Sequence, residues 1–173
     1  MNEVLNCLET RRSVRKYLPK QIADAELNAI LEAGIYAPTA MGRQSPKIVV
    51  LQKPEDVAEL ERMNAAVLGN PDSHPFYGAP TVLVVLADAK AGTAVEDGSL
   101  VLGNLMNAAH ALGVGSCWIH RAREEFASDE GKALLKRWGI EGDWVGVGHC
   151  ILGYPAGDPQ PAAPRKSDYI LKV

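Results

Sequence analysis

The run Pro80-Thr81-Val82-Leu83-Val84-Val85-Leu86-Ala87 most limits what this chain can become. It is apolar without alternation and rich in β-branched residues, which predicts a central strand buried on both faces. Such a strand needs apolar layers above and below it. From about Ala94 to Leu112 the sequence supplies the longest helix, with Val101, Leu102, Leu105, Met106, Ala109 and Leu112 as its stripe. Gly98, Gly103, Ala108 and Ala111 make that helix slim, and a helix apolar on all sides must be covered on more than one. In so short a chain this predicts a subunit interface as well as a core. Lys47–Gln52, Gly115–His120 and Val145–Leu152 read as three further strands. Helices are expected at Asn2–Leu8, from an Asp24 N-cap to Ala37, and over Pro54–Leu68, Glu124–Ala127 and Asp129–Trp138. The class is an α/β or α+β sandwich. A Rossmann arrangement is disfavoured, because no Gly-x-Gly-x-x-Gly follows a strand.

With 173 residues the chain suffices for one domain, residues 1–173, with a sizeable core. Its net charge of −3, with both signs interspersed, argues against a nucleic-acid surface or a polybasic membrane patch. Cys7, Cys117 and Cys150 are far apart and odd in number, so buried thiols in a reducing, cytoplasmic setting are expected, with neither disulfides nor a metal site. Glu3 and Glu9 flank a short apolar run unlike a secretion signal, and no stretch reaches membrane-spanning length. Pro155 to Pro164 reads as an extended arm.

The chemistry gathers in Glu9-Thr10-Arg11-Arg12-Ser13-Val14-Arg15-Lys16-Tyr17, where four cations follow the first helix. If the chain extends there, Arg11, Ser13 and Arg15 share one side and Arg12, Val14 and Lys16 the other. Arg11 and Arg15 would then lie about 13 Å apart, at roughly 3.3 Å per residue. A solvated basic turn is one reading of this pattern. A cradle for a long anion, phosphate at one end and polarisable ring at the other, is the second. The segment Ala37-Pro38-Thr39-Ala40-Met41-Gly42-Arg43-Gln44-Ser45-Pro46 has loop chemistry, and its small side chains allow close approach to a flat ligand. There is no serine nucleophile elbow, phosphate loop or metal-ligand set. His110 and His149 read as packed core residues. The lack of a conventional acid, base or nucleophile assigns the hard chemistry to a bound cofactor.

Five blocks in this order resemble the nitroreductase-like FMN-dependent oxidoreductases in their short form. They are Thr10–Arg15; Ala37–Ala40 with Gln44; Tyr77-Gly78-Ala79-Pro80; Asn104–Ile119; and Gly153-Tyr154-Pro155 followed by Pro164-Arg165. The resemblance covers essentially the whole chain. It implies an α+β fold with a mixed, mainly antiparallel sheet of four to five strands flanked by helices, in a homodimer with one FMN in each of two shared sites. By the same resemblance Arg11 pairs with the FMN phosphate, Arg12 and Ser13 add contacts, and Arg15 lies near the ring's N1 and O2. Pro38, Thr39 and Ala40 come from the partner subunit, and Gln44 matches a further polar position. Trp118, Ile119 and His120 run past the ring's N5 edge, and Arg165 is a second phosphate cation.

Three places depart from the family pattern: Gly42 replaces an asparagine, Gln44-Ser45-Pro46 stands where Gln-Pro-Trp is common and so lacks a large aromatic, and Ala163 replaces a cation. The resemblance implies an enzyme in which NAD(P)H reduces FMN and a nitroaromatic, quinone or similar small acceptor then takes the electrons, in ping-pong order. The alternative is a flavin-binding carrier or redox-responsive module without turnover.

Overall fold

The computed structural model describes residues 2–173. Its elements in chain order are α1 (Glu3–Thr10), α2 (Asp24–Ile35), β1 (Pro46–Leu51), α3 (Pro54–Leu68), β2 (Thr81–Asp88), α4 (Ala94–Ala111), β3 (Gly115–Ile119), α5 (Ala122–Ala127), α6 (Asp129–Arg137) and β4 (Trp144–Gly153). The four strands form one sheet in the order β1-β2-β4-β3, and every strand pair is antiparallel. The only parallel pairing among the described residues is an isolated bridge between Ser13 and Ser116. The fold is therefore α+β, with its mixed character reduced to that bridge.

β2 explains why its sequence does not alternate in polarity. Leu83, Val85 and Ala87 face a layer that includes Ile30, Leu102 and Leu105 of α2 and α4. Val82, Val84 and Leu86 face Leu60, Phe126 and Leu134 of α3, α5 and α6. Both faces of the pleat are thus dry, and each fully buried aliphatic side chain contributes about 1.5–3 kcal/mol. Close approach seats α4 on the sheet and on α2. A Cβ on Gly98 would come within 2.6 Å of Val147 Cγ2, and one on Gly34 within 2.6 Å of Leu105 Cδ2.

α3 runs over the residues its punctuation dictates. Pro54 opens it, Glu55 and Asp56 occupy its first turn, and Gly69 at φ 75° closes it. α2 is entered differently from the sequence expectation. Ala23 is the N-cap and Asp24 is already helical, while Glu26 reaches back to accept the Ala23 N–H at 2.9 Å. Glu26 thus satisfies the N-cap amide, and Asp24 serves as a first-turn acid one residue inside the helix.

Two other expectations are corrected. α1 buries no residue: Val4 and Leu5 are 65% and 52% exposed. A groove of about 470 Å³ lies between α1 and the α2–α4 pair, lined by Val4, Cys7, Leu8, Ala33, Asn104 and Ala108 among others. Cys7 is consequently half-buried, whereas Cys117 and Cys150 are buried, and all three are free. His110 is likewise half-buried and not a core residue. Its Nε2 lies 2.9 Å from Thr10 Oγ1, whose hydroxyl donates to Asn6 O, so His110 ties α4 to the end of α1. His149 is fully buried as expected, but it is joined to Glu125, which is also fully buried.

Candidate functional site

The basic stretch leaves α1 and runs extended along the open side of β3. Val14 donates its N–H to Ser116 O at 2.9 Å, and Tyr17 bridges to Pro155 beyond β4. The Tyr17 hydroxyl donates to Val14 O at 2.6 Å, which fixes the curve of the segment. The four cations then separate by role. Arg12 folds back and donates Nη1 to Glu9 O at 2.8 Å and Arg11 O at 2.6 Å, covering carbonyls at the end of α1. Arg15 and Lys16 are exposed. Arg11 alone carries a buried guanidinium nitrogen, Nη1, with no hydrogen-bond partner.

A buried charged donor without an acceptor is costly unless an anion arrives. Ser116 Oγ is a second buried atom without a partner, on the strand that adjoins Ser13 and Val14. These two unsatisfied groups are the observation that a phosphate fits. The Arg11 cation also acts on its surroundings. Burial, followed by Arg11 and Arg12, holds His110 below the ordinary histidine value. Burial pushes the Cys150 thiol up strongly, with Cys117 adding to the rise and Arg11 opposing it.

Trp118, Ile119 and His120 finish β3 and the residue after it. Trp118 packs across Gly148 of β4, where a Cβ would come within 2.7 Å of its Nε1. The His120 carbonyl accepts from Asn64 Nδ2 at 2.8 Å. Asn64 is fully buried on α3 between core residues, a polar side chain at a core position. That placement was the available sign of a role, and the sequence reading passed over it.

The second half of the candidate site lies elsewhere. Pro38 and Gln44 are exposed, Thr39 and Ala40 half-buried. Thr39, Gln44, Pro46 and Ile48 line a groove of about 340 Å³ beside β1. β1 and β3 are opposite edges of the sheet, three strand spacings or about 14 Å apart. Within one chain, therefore, Arg11–Arg15 and Pro38–Gln44 are not brought together. Arg165 is exposed in the tail and joins neither group, although Ala156–Gln160 adjoin Ser13–Lys16 around a hollow of about 290 Å³.

The Pro38–Gln44 loop is braced by a residue outside its own sequence. Met41 and Gln44 sit at φ 55° and 52°, conformations that strain any residue with a Cβ. Asp97, buried in the first turn of α4, holds them there. Its carboxylate accepts the Ala40 N–H at 3.0 Å, the Ser45 hydroxyl at 2.7 Å and the Thr93 hydroxyl at 3.3 Å. Ser45, where the family pattern has a proline, thus ties the loop to Asp97. Burial alone would push the Asp97 carboxyl up, but the bonds from Ser45, Ala40 and Thr93 outweigh it and hold the group below the ordinary aspartate value. A folded-state value below the unfolded one stabilises above the ordinary range and fades as pH falls through the folded value. Asp97→Ala is expected to release the loop at a cost of about 1–3 kcal/mol. Hydrogen exchange at the Ala40 amide reads this directly; protection equal to wild type would remove Asp97 from that role.

The architecture defines an α+β protein with a buried, unsatisfied guanidinium nitrogen in the segment along one sheet edge and a small-residue loop braced by Asp97 before the other. The pattern of the Nitroreductase family matches residues 8–76 and 70–154. The chain belongs to the nitroreductase family. A relative from Archaeoglobus fulgidus, provisionally named an NADH dehydrogenase/NAD(P)H nitroreductase, is 32% identical over 160 residues, 90% of this chain and 87% of that protein. The solved structure of a nitroreductase with bound FMN from Bacteroides fragilis is 33% identical, covers both chains fully and superposes with a TM-score of 0.91. Another nitroreductase with bound FMN, from Desulfitobacterium hafniense, is 29% identical with a TM-score of 0.89, covering 100% of this chain and 99% of its own. No helix among the described residues is long and apolar enough to cross a membrane.

Proposed function

We propose that residues 1–173 act as one FMN-binding unit of a homodimeric, NAD(P)H-dependent oxidoreductase in the cytoplasm, reducing a nitroaromatic, quinone or similar small acceptor. The observation that carries this reading is the buried, unpartnered Arg11 Nη1, in a segment that pairs through Ser13 and Val14 with Ser116, whose Oγ is also buried and unpartnered. FMN, when bound, supplies hydride and electron transfer that alternates between a nicotinamide donor and an oxidising acceptor over one open ring face.

The chain's own residues hold and tune that group. Arg11 and Ser116 take the phosphate end, with Ser13 on the adjoining segment and Arg165 as the tail cation. Arg12 keeps the end of α1 closed, so that the Arg11 backbone does not drift. Arg15 supplies a fixed positive charge where negative charge gathers on electron acceptance. Trp118, Ile119 and His120 border the ring, the last anchored by Asn64. Pro38, Thr39, Ala40 and Gln44 close the site from the partner subunit, because the sheet separates them from Arg11 within their own chain.

Several surfaces support the dimer. α1 has an exposed apolar stripe, Leu100 and Leu112 of the α4 region are exposed, and a Cβ on Gly103 would meet open space. Mixing the purified protein with FMN is expected to give a tightly held yellow complex that NADH or NADPH bleaches and an added quinone restores. A protein that retains no FMN after gel filtration would contradict the reading. One that binds FMN but is never bleached would leave a flavin-binding module without turnover.

A further inference from the structure

We propose that Arg121 is an anchor for a carboxylate on the acceptor, so that this enzyme's substrate is an anionic aromatic. The inference rests on the FMN reading and extends it to the substrate class. Arg121 immediately follows His120, one Cα step of about 3.8 Å beyond the stretch assigned to the ring edge. Its backbone is left-handed, at φ 81°. A residue with a Cβ holds that conformation only where its surroundings impose it.

Here the imposing group is Asn64. Its buried Oδ1 accepts from Arg121 Nε at 3.0 Å and Nη2 at 2.8 Å, while its Nδ2 donates to the preceding His120 carbonyl. One amide therefore fixes both the turn and the guanidinium. It does so without neutralising the charge. The ion pairs among the described residues are Arg62–Glu130, His74–Glu61, Arg137–Glu59 and His149–Glu125, and none includes Arg121. Glu61, one turn before Asn64 on α3, is engaged elsewhere, accepting the Phe76 N–H at 2.8 Å and facing His74.

The result is a guanidinium held at two nitrogens by a neutral amide, with no carboxylate in ion-pair distance and no acceptor for its Nη1 among the described residues. Such a group binds an incoming oxyanion without the ordering penalty that a free arginine bears. Position decides which oxyanion. A carboxylate on an aromatic acceptor lies one bond from the ring that receives electrons. The phosphates of the nicotinamide donor are separated from its reacting ring by a ribose. Arg121 adjoins the stretch that borders the flavin edge, so it matches the carboxylate.

The test compares para-nitrobenzoate with para-nitrobenzamide, its neutral counterpart, in steady-state turnover by the FMN-loaded dimer. Two variants are used. Arg121→Gln keeps a donor toward Asn64 and loses the charge; Arg121→Gly loses the side chain and relieves the left-handed backbone. In both, the ratio of kcat/KM for benzoate over benzamide is expected to fall about tenfold or more, through KM. An unchanged ratio in both variants overturns the proposal. So does a loss confined to the rate of flavin bleaching by NADH or NADPH, which would give Arg121 to the donor's phosphates. Failure of the FMN reading is visible separately, as wild-type protein without flavin absorbance. Calorimetric titration with benzoate then decides: binding that Arg121→Gln weakens about tenfold upholds the anion site, and binding that is absent or unaltered overturns it.

Discussion

Arg11→Met is expected to weaken FMN by roughly 10- to 100-fold, from the loss of charge-assisted bonds in a largely dry pocket. The same substitution should leave the FMN-free protein as stable as wild type or more stable. Arg11 Nη1 is buried without a partner, so the free protein bears an unsatisfied charged donor that methionine removes. The holo form should therefore lose stability while the apo form loses none. Riboflavin, which lacks the phosphate, should lose much less affinity than FMN. Thermal unfolding with and without saturating FMN measures both signs in one series. An apo-protein destabilised as much as the holo-protein would make Arg11 a structural residue and move the phosphate elsewhere.

His149→Phe is expected to lower stability by about 3–5 kcal/mol, because it leaves the buried Glu125 carboxyl without its partner. Both side chains are fully buried, with Phe76 and Phe126 packed at ring distances of 5.5 and 6.3 Å from His149. The pair joins His149 Nε2 to Glu125 Oε2, and Glu125 Oε1 and His149 Nδ1 have no partner. The double replacement Glu125→Leu with His149→Phe should recover much of the loss, since no charge is then left alone. Urea unfolding at one fixed protein concentration tests this. Equal stability of the single variant and wild type would mean that the pair contributes nothing.

Periodicity and punctuation made most of the architecture legible. Pro54 and Gly69 bracket α3, and the non-alternating Val82–Ala87 run announced a strand covered on both faces. What periodicity cannot supply is the identity of the covering surface. Val4, Leu5 and Leu8 have the spacing of a buried stripe, yet each remains more than half exposed. His110 shares a helix with core residues but faces the Thr10 hydroxyl, which is 100 positions away in sequence.

The candidate site follows the same division. The cations at positions 11, 12, 15 and 16 look alike in sequence. Only the fold sends Arg12 onto helix carbonyls and leaves Arg11 buried and unsatisfied. Asp97 looks like any acidic residue in a first helical turn, and its contact with Ala40 spans 57 positions. Asn64 was detectable in principle as a polar residue on an apolar helix face. Its partners, His120 and Arg121, were not.

The central claim is that each site is built from two chains, Arg11 with its neighbours from one and Pro38–Gln44 from the other. Arg11→Glu repels the phosphate, and Thr39→Trp blocks the loop side. Each variant alone damages both sites of its homodimer, whereas a mixed dimer carries both lesions in one site and none in the other. The decisive measurement is FMN binding after the two variants are unfolded and refolded together. With random pairing about half the dimers are mixed, so roughly a quarter of all sites should bind FMN and oxidise NAD(P)H. Variants refolded separately should recover almost none. Mixed dimers confirmed by mass that bind no FMN would show each site to be built within one chain, and would contradict the account.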